Sequence, residues 1–285
     1  MGYTIEQTSR DVVTLRHTGI DAAWRQRYLL LADVHFDSPH CNRRLLRSLL
    51  TEAQETGAGV FCFGDWFDGM QGRDDKRSDK SALMPQYKAG DYVNCLVDDS
   101  AEFLAPYAGN FVFLADGNHE TGLRKHLEVD ILLLLAGRLN VAKMGYSGFV
   151  RFLFNRGGGK TGTAGASRRV LFFHHGAGGG GEITQGIMRA QRQSAWVGDA
   201  DIFVGGHYHV DWLTRMDRLR LSDKGIVYRD TVLHLALPSL KDEFDMAGGF
   251  HVERGRAPRP QGAYWLEFRH DAAEHGRVTF DVARG

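Results

Sequence analysis

Five short stretches of this chain end an apolar run in side chains that bind divalent cations. They are Asp33 and His35 in "LLLADVHFD", Asp65 and Asp68 in "FCFGDWFD", Asn118 and His119 in "FLADGNHE", the pair His174 and His175 in "VLFFHH", and His207 and His209 in "FVGGHYH". A lone aspartate after a strand is usually a helix cap, and a lone histidine is usually a satisfied surface or core residue. Five such clusters in series, each after an apolar run, are hard to explain as caps. The donors are carboxylates, imidazoles and one amide without a thiolate, a set that suits Mn²⁺, Fe or Zn²⁺ at a reactive centre better than a structural zinc.

Positioning these residues requires strands that stop in polar clusters. The runs 27–37, 59–68 and 110–120 each read as a strand ending in acid, amide or imidazole groups. Between them, Leu45, Leu46, Leu49, Leu50 and Ala53 share one helical face, 91–109 is amphipathic, and one helix is expected over about 122–138 through Leu123, Leu127, Ile131 and Leu134. "FVRFLFNR" and "RRVLFFHH" read as strands flanking a glycine-rich turn, and a helical stretch at about 183–197 leads to 201–209. The remainder alternates β-branched and aromatic runs with turn signals, a strand-rich tail. This order suggests two packed sheets with helices outside, in one domain over 1–285. The polar segment 71–86 reads as a surface insertion beside the second cluster, where a lid would sit. Ligands collect at the carboxyl ends of strands in open α/β sheets, so the clusters are expected to converge.

In order, "DVH", "GDWFD", "GNHE", "HH" and "GHYH" resemble the signature of the calcineurin-like metallophosphoesterase superfamily, over residues 33 to 209. The resemblance implies a four-layer α/β/β/α sandwich of two mixed sheets with two metal ions at one end, Mn²⁺ first, with Fe, Zn²⁺ or Ni²⁺ as alternatives. By position, it puts Asp33, His35 and His209 on one metal, Asn118, His207 and one histidine of the 174/175 pair on the other, and Asp65 between them. Strand phase and family spacing favour His174 as that ligand, with His175 as substrate contact or outer support. His119 would protonate the leaving group or stabilise phosphoryl oxygens, and Asp68 would orient it. Two metals about 3.5–4 Å apart can share a water, lower its pKa and clamp both oxygens of an in-line phosphoryl displacement.

Several function classes recede on composition. Lys plus Arg and Asp plus Glu are both 35, so bulk attraction to nucleic acid or anionic membrane is not expected. The N-terminal residues show no signal-peptide pattern, and Cys41, Cys62 and Cys95 lack paired spacing, which together point to a cytoplasmic protein with reduced thiols. "GGGKTG" at 157–162 is not a P-loop, because Phe154 stands where the pattern needs glycine. The basic loop "ERGRAPRPQG" at 253–262 reads as a surface loop, with guidance of an anionic substrate as the alternative; the glycines at 176–181 read as a tight turn past the site that leaves room for substrate, and Glu182 as a helix cap. The expected partner is a phosphate ester, nucleotides and nucleic acid included. The expected activity is hydrolysis of phosphate mono- or diesters. A Mn²⁺-dependent nuclease of the same superfamily is the alternative, and a non-catalytic scaffold is disfavoured because every ligand position carries a competent residue.

Overall fold

The computed structural model describes residues 2–69, 83–88, 91–155, 167–179, 181–242, 244, 250–253, 255–271 and 277–285. Of the insertion expected over 71–86, only 83–86 fall among these, and the turn at 157–162 lies outside them. The strands are β1 (Tyr3–Ser9), β2 (Val12–His17), β3 (Arg25–Leu31), β4 (Gly59–Cys62), β5 (Phe111–Ala115), β6 (Ala142–Met144), β7 (Ser147–Phe154), β8 (Ser167–His174), β9 (Ile202–Gly205), β10 (Trp212–Leu221), β11 (Val227–Ala236), β12 (Tyr264–Asp271) and β13 (Arg277–Arg284). They form two mixed sheets, one in the order β1-β2-β7-β8-β9-β11-β10 and the other β13-β12-β3-β4-β5-β6. Within them, β3, β4 and β5 run parallel, as do β8, β9 and β11. The carboxyl ends of the ligand-bearing strands in each sheet therefore lie at one edge.

Helices α1 (Arg43–Thr56), α2 (Tyr92–Leu104) and α4 (Ile131–Leu139) bury leucines against the outer face of the six-stranded sheet. The short α5 (Ile187–Trp196) lies on the side of the other sheet, where Trp196 packs edge-on to Phe172. With α3 (Asn118–Leu127) at the strand ends, these layers make the expected α/β/β/α sandwich. The single helix expected over 122–138 is two. Glu128 turns left-handed at φ 56° to close α3, and the Asp130 carboxylate accepts the Leu133 N–H to start α4. No helix among the described residues is long and apolar enough to cross a membrane.

Between the sheets lies an aromatic core. Tyr28, Phe61, Phe63 and Phe113 from one sheet meet Phe152, Phe154 and Phe173 from the other, all fully buried. Phe173 carries the load nearest the site. Its ring stacks on Phe113 at 5.4 Å and leans on Phe63 at 5.2 Å, so the ends of β4, β5 and β8 are held at fixed spacing. Phe173→Ala is expected to destabilise the fold by about 3–5 kcal/mol, measured by urea unfolding. A loss below about 1 kcal/mol, the level of an ordinary surface change, would show that this contact does not lock the sheets.

Candidate metal centre

The residues after the strands share an unusual backbone. Asp33, His35, Asp65, His207 and His209 all have φ between 48° and 74°. Non-glycine residues rarely occupy this left-handed region, and each does so at a cost the surroundings must offset. Here the loops hold one another. Asp33 N–H donates to Gly64 O at 3.0 Å, His35 N–H to Asp65 O at 3.1 Å, and Phe36 N–H to Trp66 O at 2.7 Å. The Asp33 carbonyl accepts from Leu240 N–H and from the Ser239 hydroxyl, and its carboxylate accepts the His207 N–H at 2.8 and 3.0 Å.

Side chains from five loops then converge. Three overlapping groups could each hold a metal ion: Asp33, His35 and His209; His35, Asp65 and His119; and Asp65, His175 and His207, with the donor atoms of each group within 4.8 Å of one another. The imidazoles are oriented from behind. His35 Nδ1 donates to Asp68 Oδ1 at 2.9 Å, His175 Nδ1 to Phe63 O at 2.9 Å, and His207 Nε2 to Gly178 O at 3.0 Å. Each ring therefore turns its other nitrogen inward, the outer hydrogen bond fixing the tautomer. His35 Nε2 faces His209 Nε2 at 3.2 Å, and His175 Nε2 lies 3.1 Å from both Asp65 Oδ2 and Asn118 Oδ1. Asn118 Oδ1 also lies 2.6 Å from His207 Nδ1. A proton could join one such pair at a time, whereas divalent cations would satisfy all of these lone pairs together. The donor set fits metal ions of the Mn²⁺, Fe and Zn²⁺ kind.

Electrostatics agree. Burial opposes ionisation of Asp33, but His209 and His175 outweigh it and hold its pKa below the ordinary carboxylate value. Asp65, also buried, is held well below it by His175 and His119. Burial would lower His175, yet the Asp65 and Asp33 carboxylates dominate and push it up to about 10. The pocket demands positive charge at that point.

The structure brings Asp33, His35, Asp65, Asn118, His119, His175, His207 and His209 together, and it does not bring in His174. Along β8, Leu171, Phe173 and then His175 face the other sheet, while Val170, Phe172 and His174 face outward. His174 Nδ1 accepts the Gly176 N–H at 3.1 Å, and its ring lines a separate cleft with Trp196 and Trp212. Of the pair, His175 and not the expected His174 stands among the donors. Asp68 meets His119 through its backbone carbonyl more closely than through its carboxylate. Its carboxylate holds His35 and accepts from Lys241 Nζ at 3.0 Å, whereas His119 Nδ1 donates to the Asp68 backbone carbonyl, with the carboxylate 3.7 Å away.

Three supporting groups were missed. Glu120 accepts the N–H groups of Asp65, Phe67 and Gly117 at 2.8–3.0 Å, and burial with the nearby Asp65 pushes its pKa up to about 8. It stands inside "GNHE" at capping-box spacing, a legible signal. Asp37 accepts the N–H groups of Asp68 and Gly69 at 2.6 and 2.9 Å. Lys241 lies 173 residues from Asp68 with no motif to mark it.

No protein-family model matches this chain, and no curated protein does. Among solved structures, it is similar to a conserved uncharacterised protein and predicted phosphoesterase of Streptococcus pneumoniae, at 14% identity and TM-score 0.36 over 92% of this chain and 91% of that one. Vps29 of Chaetomium thermophilum matches at 9% identity and TM-score 0.36, covering 91% and 95%. GAP50, the anchor in the inner membrane complex of Plasmodium, matches at 9% identity and TM-score 0.39, covering 91% and 84%.

The two histidines can be separated by metal binding. His175→Ala should weaken Mn²⁺ binding by about tenfold or more, the scale of lost metal-site support, and His174→Ala should leave it near wild type by calorimetric titration. The opposite ranking would restore His174 to the centre.

Proposed function

We propose that the protein hydrolyses phosphate mono- or diesters with two divalent cations, Mn²⁺ first. Asp33, His35 and His209 would hold one cation, Asn118, His175 and His207 the other, and Asp65 would lie between them. When bound, the cations supply Lewis-acid activation of water and neutralise charge on the phosphoryl oxygens. The observation that carries the reading is the position of Asp65. Its carboxylate belongs to two of the three donor groups, lies 3.1 Å from His175 Nε2, and accepts the His119 N–H at 2.9 Å.

The chain's own groups supply the rest. Asp68 fixes the ring of His35 through Nδ1, and Lys241 balances part of the Asp68 charge. His119 is anchored twice, by its backbone N–H on Asp65 and by Nδ1 on the Asp68 carbonyl, which leaves Nε2 as the edge turned toward the donor cluster, 3.9 Å from Asp65 Oδ2. In the reaction, the water oxygen bonds to phosphorus and its proton passes to solvent. The ester P–O bond breaks with its electron pair on the leaving oxygen, and His119 Nε2–H gives that oxygen its proton.

Asp65→Asn should abolish Mn²⁺-dependent hydrolysis of p-nitrophenyl phosphate and bis-p-nitrophenyl phosphate, as should a chelator. Full activity in that variant would sink the assignment, and DNA beside these esters tests the nuclease alternative. His119→Ala should slow cleavage of alkyl esters by about two to four orders of magnitude and p-nitrophenyl esters far less, because nitrophenolate leaves without a proton. Equal losses on both would remove His119 from proton donation.

A further inference from the structure

Beside the donor cluster opens a cleft of about 400 Å³, bounded by His207, Tyr208 and the glycine loop on one side and by Arg256 and Arg259 on the other. His207 is shared between cluster and cleft, so a phosphate ester bound at the cluster would extend into it. The two arginines come from the basic loop at 253–262, for which the sequence favours a plain surface loop over guidance of an anion. That loop is anchored to the floor of the site: Gln261 bridges to Ser239, whose hydroxyl donates to the Asp33 carbonyl at 2.8 Å. Across the cleft mouth, Glu182 accepts a forked pair of bonds from Arg259 Nη2, both at 3.0 Å, with Arg256 Nε at 3.5 Å. Glu182 is therefore no helix cap. It stands four residues ahead of Gly186, which precedes α5.

The pairing is asymmetric. The Arg259 side chain is 13% exposed and Glu182 is 53% exposed. The Arg259 side chain is largely shielded, while the Glu182 carboxylate that pairs with it sits half in water, where it is open to exchange with solvent and solutes. A planar fork of N–H donors matches a phosphate or carboxylate equally well, so an incoming anion would replace Glu182 without rearranging Arg259. Glycines adjoin this contact. Its Gly178 carbonyl holds His207, Gly178 and Gly181 both have φ 67°, and Glu182 follows directly.

Resting on the phosphoesterase reading, we infer that Arg256 and Arg259 form a second anion subsite that selects phosphate esters carrying another anionic group remote from the ester bond, with Glu182 as the displaceable occupant. The substrate class is thus a bisphosphate, a phosphorylated oligonucleotide end or a phosphate ester with a distant carboxylate, in preference to a simple monoanion.

The subsite can be tested without turnover. Ethane, butane and hexane bisphosphonates have uncleavable P–C bonds, and butylphosphonate is the single-anion control. Titrated calorimetrically into the Mn²⁺-loaded protein, at least one bisphosphonate should bind about tenfold tighter than the control, as expected for added charge-assisted bonds. Arg256→Gln with Arg259→Gln should erase that preference. Glu182→Gln should enlarge it severalfold, because the arginines lose their competitor. These opposite signs separate a subsite from a merely structural strap, whose loss would move both variants the same way. Equal affinity for both ligand classes in the wild type, or shifts of the same sign, would overturn the inference. Hydrolysis of pApA against ApA, run in parallel, reports on the reading beneath it. Binding preference without any hydrolysis would sink the phosphoesterase reading and leave the subsite standing.

Discussion

The structure turns on a charge problem at the ends of the parallel strands. Asp33, Asp65 and Asp68 are nearly sealed from solvent, and Lys241 reaches Asp68. A buried carboxylate is tolerated only when paired and hydrogen-bonded, because its desolvation costs several kcal/mol. The imidazoles around them answer only in part, since His35, His175 and His207 spend one nitrogen each on an outer acceptor. What remains is a set of inward lone pairs and negative charge whose natural complement is a divalent cation. The aromatic core and cross-bonded loops keep those lone pairs from drifting apart.

Holding that arrangement requires strained backbone. Left-handed non-glycine residues cost of order 1–3 kcal/mol each, and five of those observed belong to the donor set. Part of the offset is visible beside Asp65 and along the turn that follows it. Glu120 ties the Asp65 loop to the start of α3, and Asp37 gathers the N–H groups at Asp68 and Gly69. Glycine is needed where these loops touch. A β-carbon on Gly206 would stand 2.6 Å from Asp33 Oδ2 and 2.8 Å from the Ala32 β-carbon, and one on Gly117 would collide with the Asp65 carboxylate. The polar network does for the loops what the phenylalanines do for the strands.

Much of this was legible because the donors follow apolar runs directly in the chain, so strand ends and site residues came from the same pattern. The layers followed from the same alternation of strands and helices. The errors have physical causes. On β8 both faces are apolar, Val170 and Phe172 outward against Leu171 and Phe173 inward, so hydrophobicity alone does not say which of His174 and His175 points between the sheets. Asp68 sits at the spacing expected of a partner for His119, but the turn after β4 offers His119 its carbonyl and saves the carboxylate for His35. Lys241 and Ser239 arrive from a loop near the far end of the chain, a long-range pairing that no local spacing encodes.

The two halves of the site are built to different stiffness. On the Asp33, Asp65 and Asn118 side, backbone is bonded to backbone across loops and closed off by buried carboxylates. Any displacement there breaks several hydrogen bonds at once in a low-dielectric setting, where each unmade bond is expensive. On the cleft side of His207, its outer nitrogen rests on a glycine carbonyl, and beyond it Glu182 makes a half-exposed ion pair with Arg259. Chemistry on a phosphoryl group needs donors fixed to within fractions of an ångström, whereas admitting esters of varied size needs a wall that yields. Gly178, whose carbonyl meets His207, and Gly181, next to Glu182, lie on the half of the pocket away from the Asp33, Asp65 and Asn118 network.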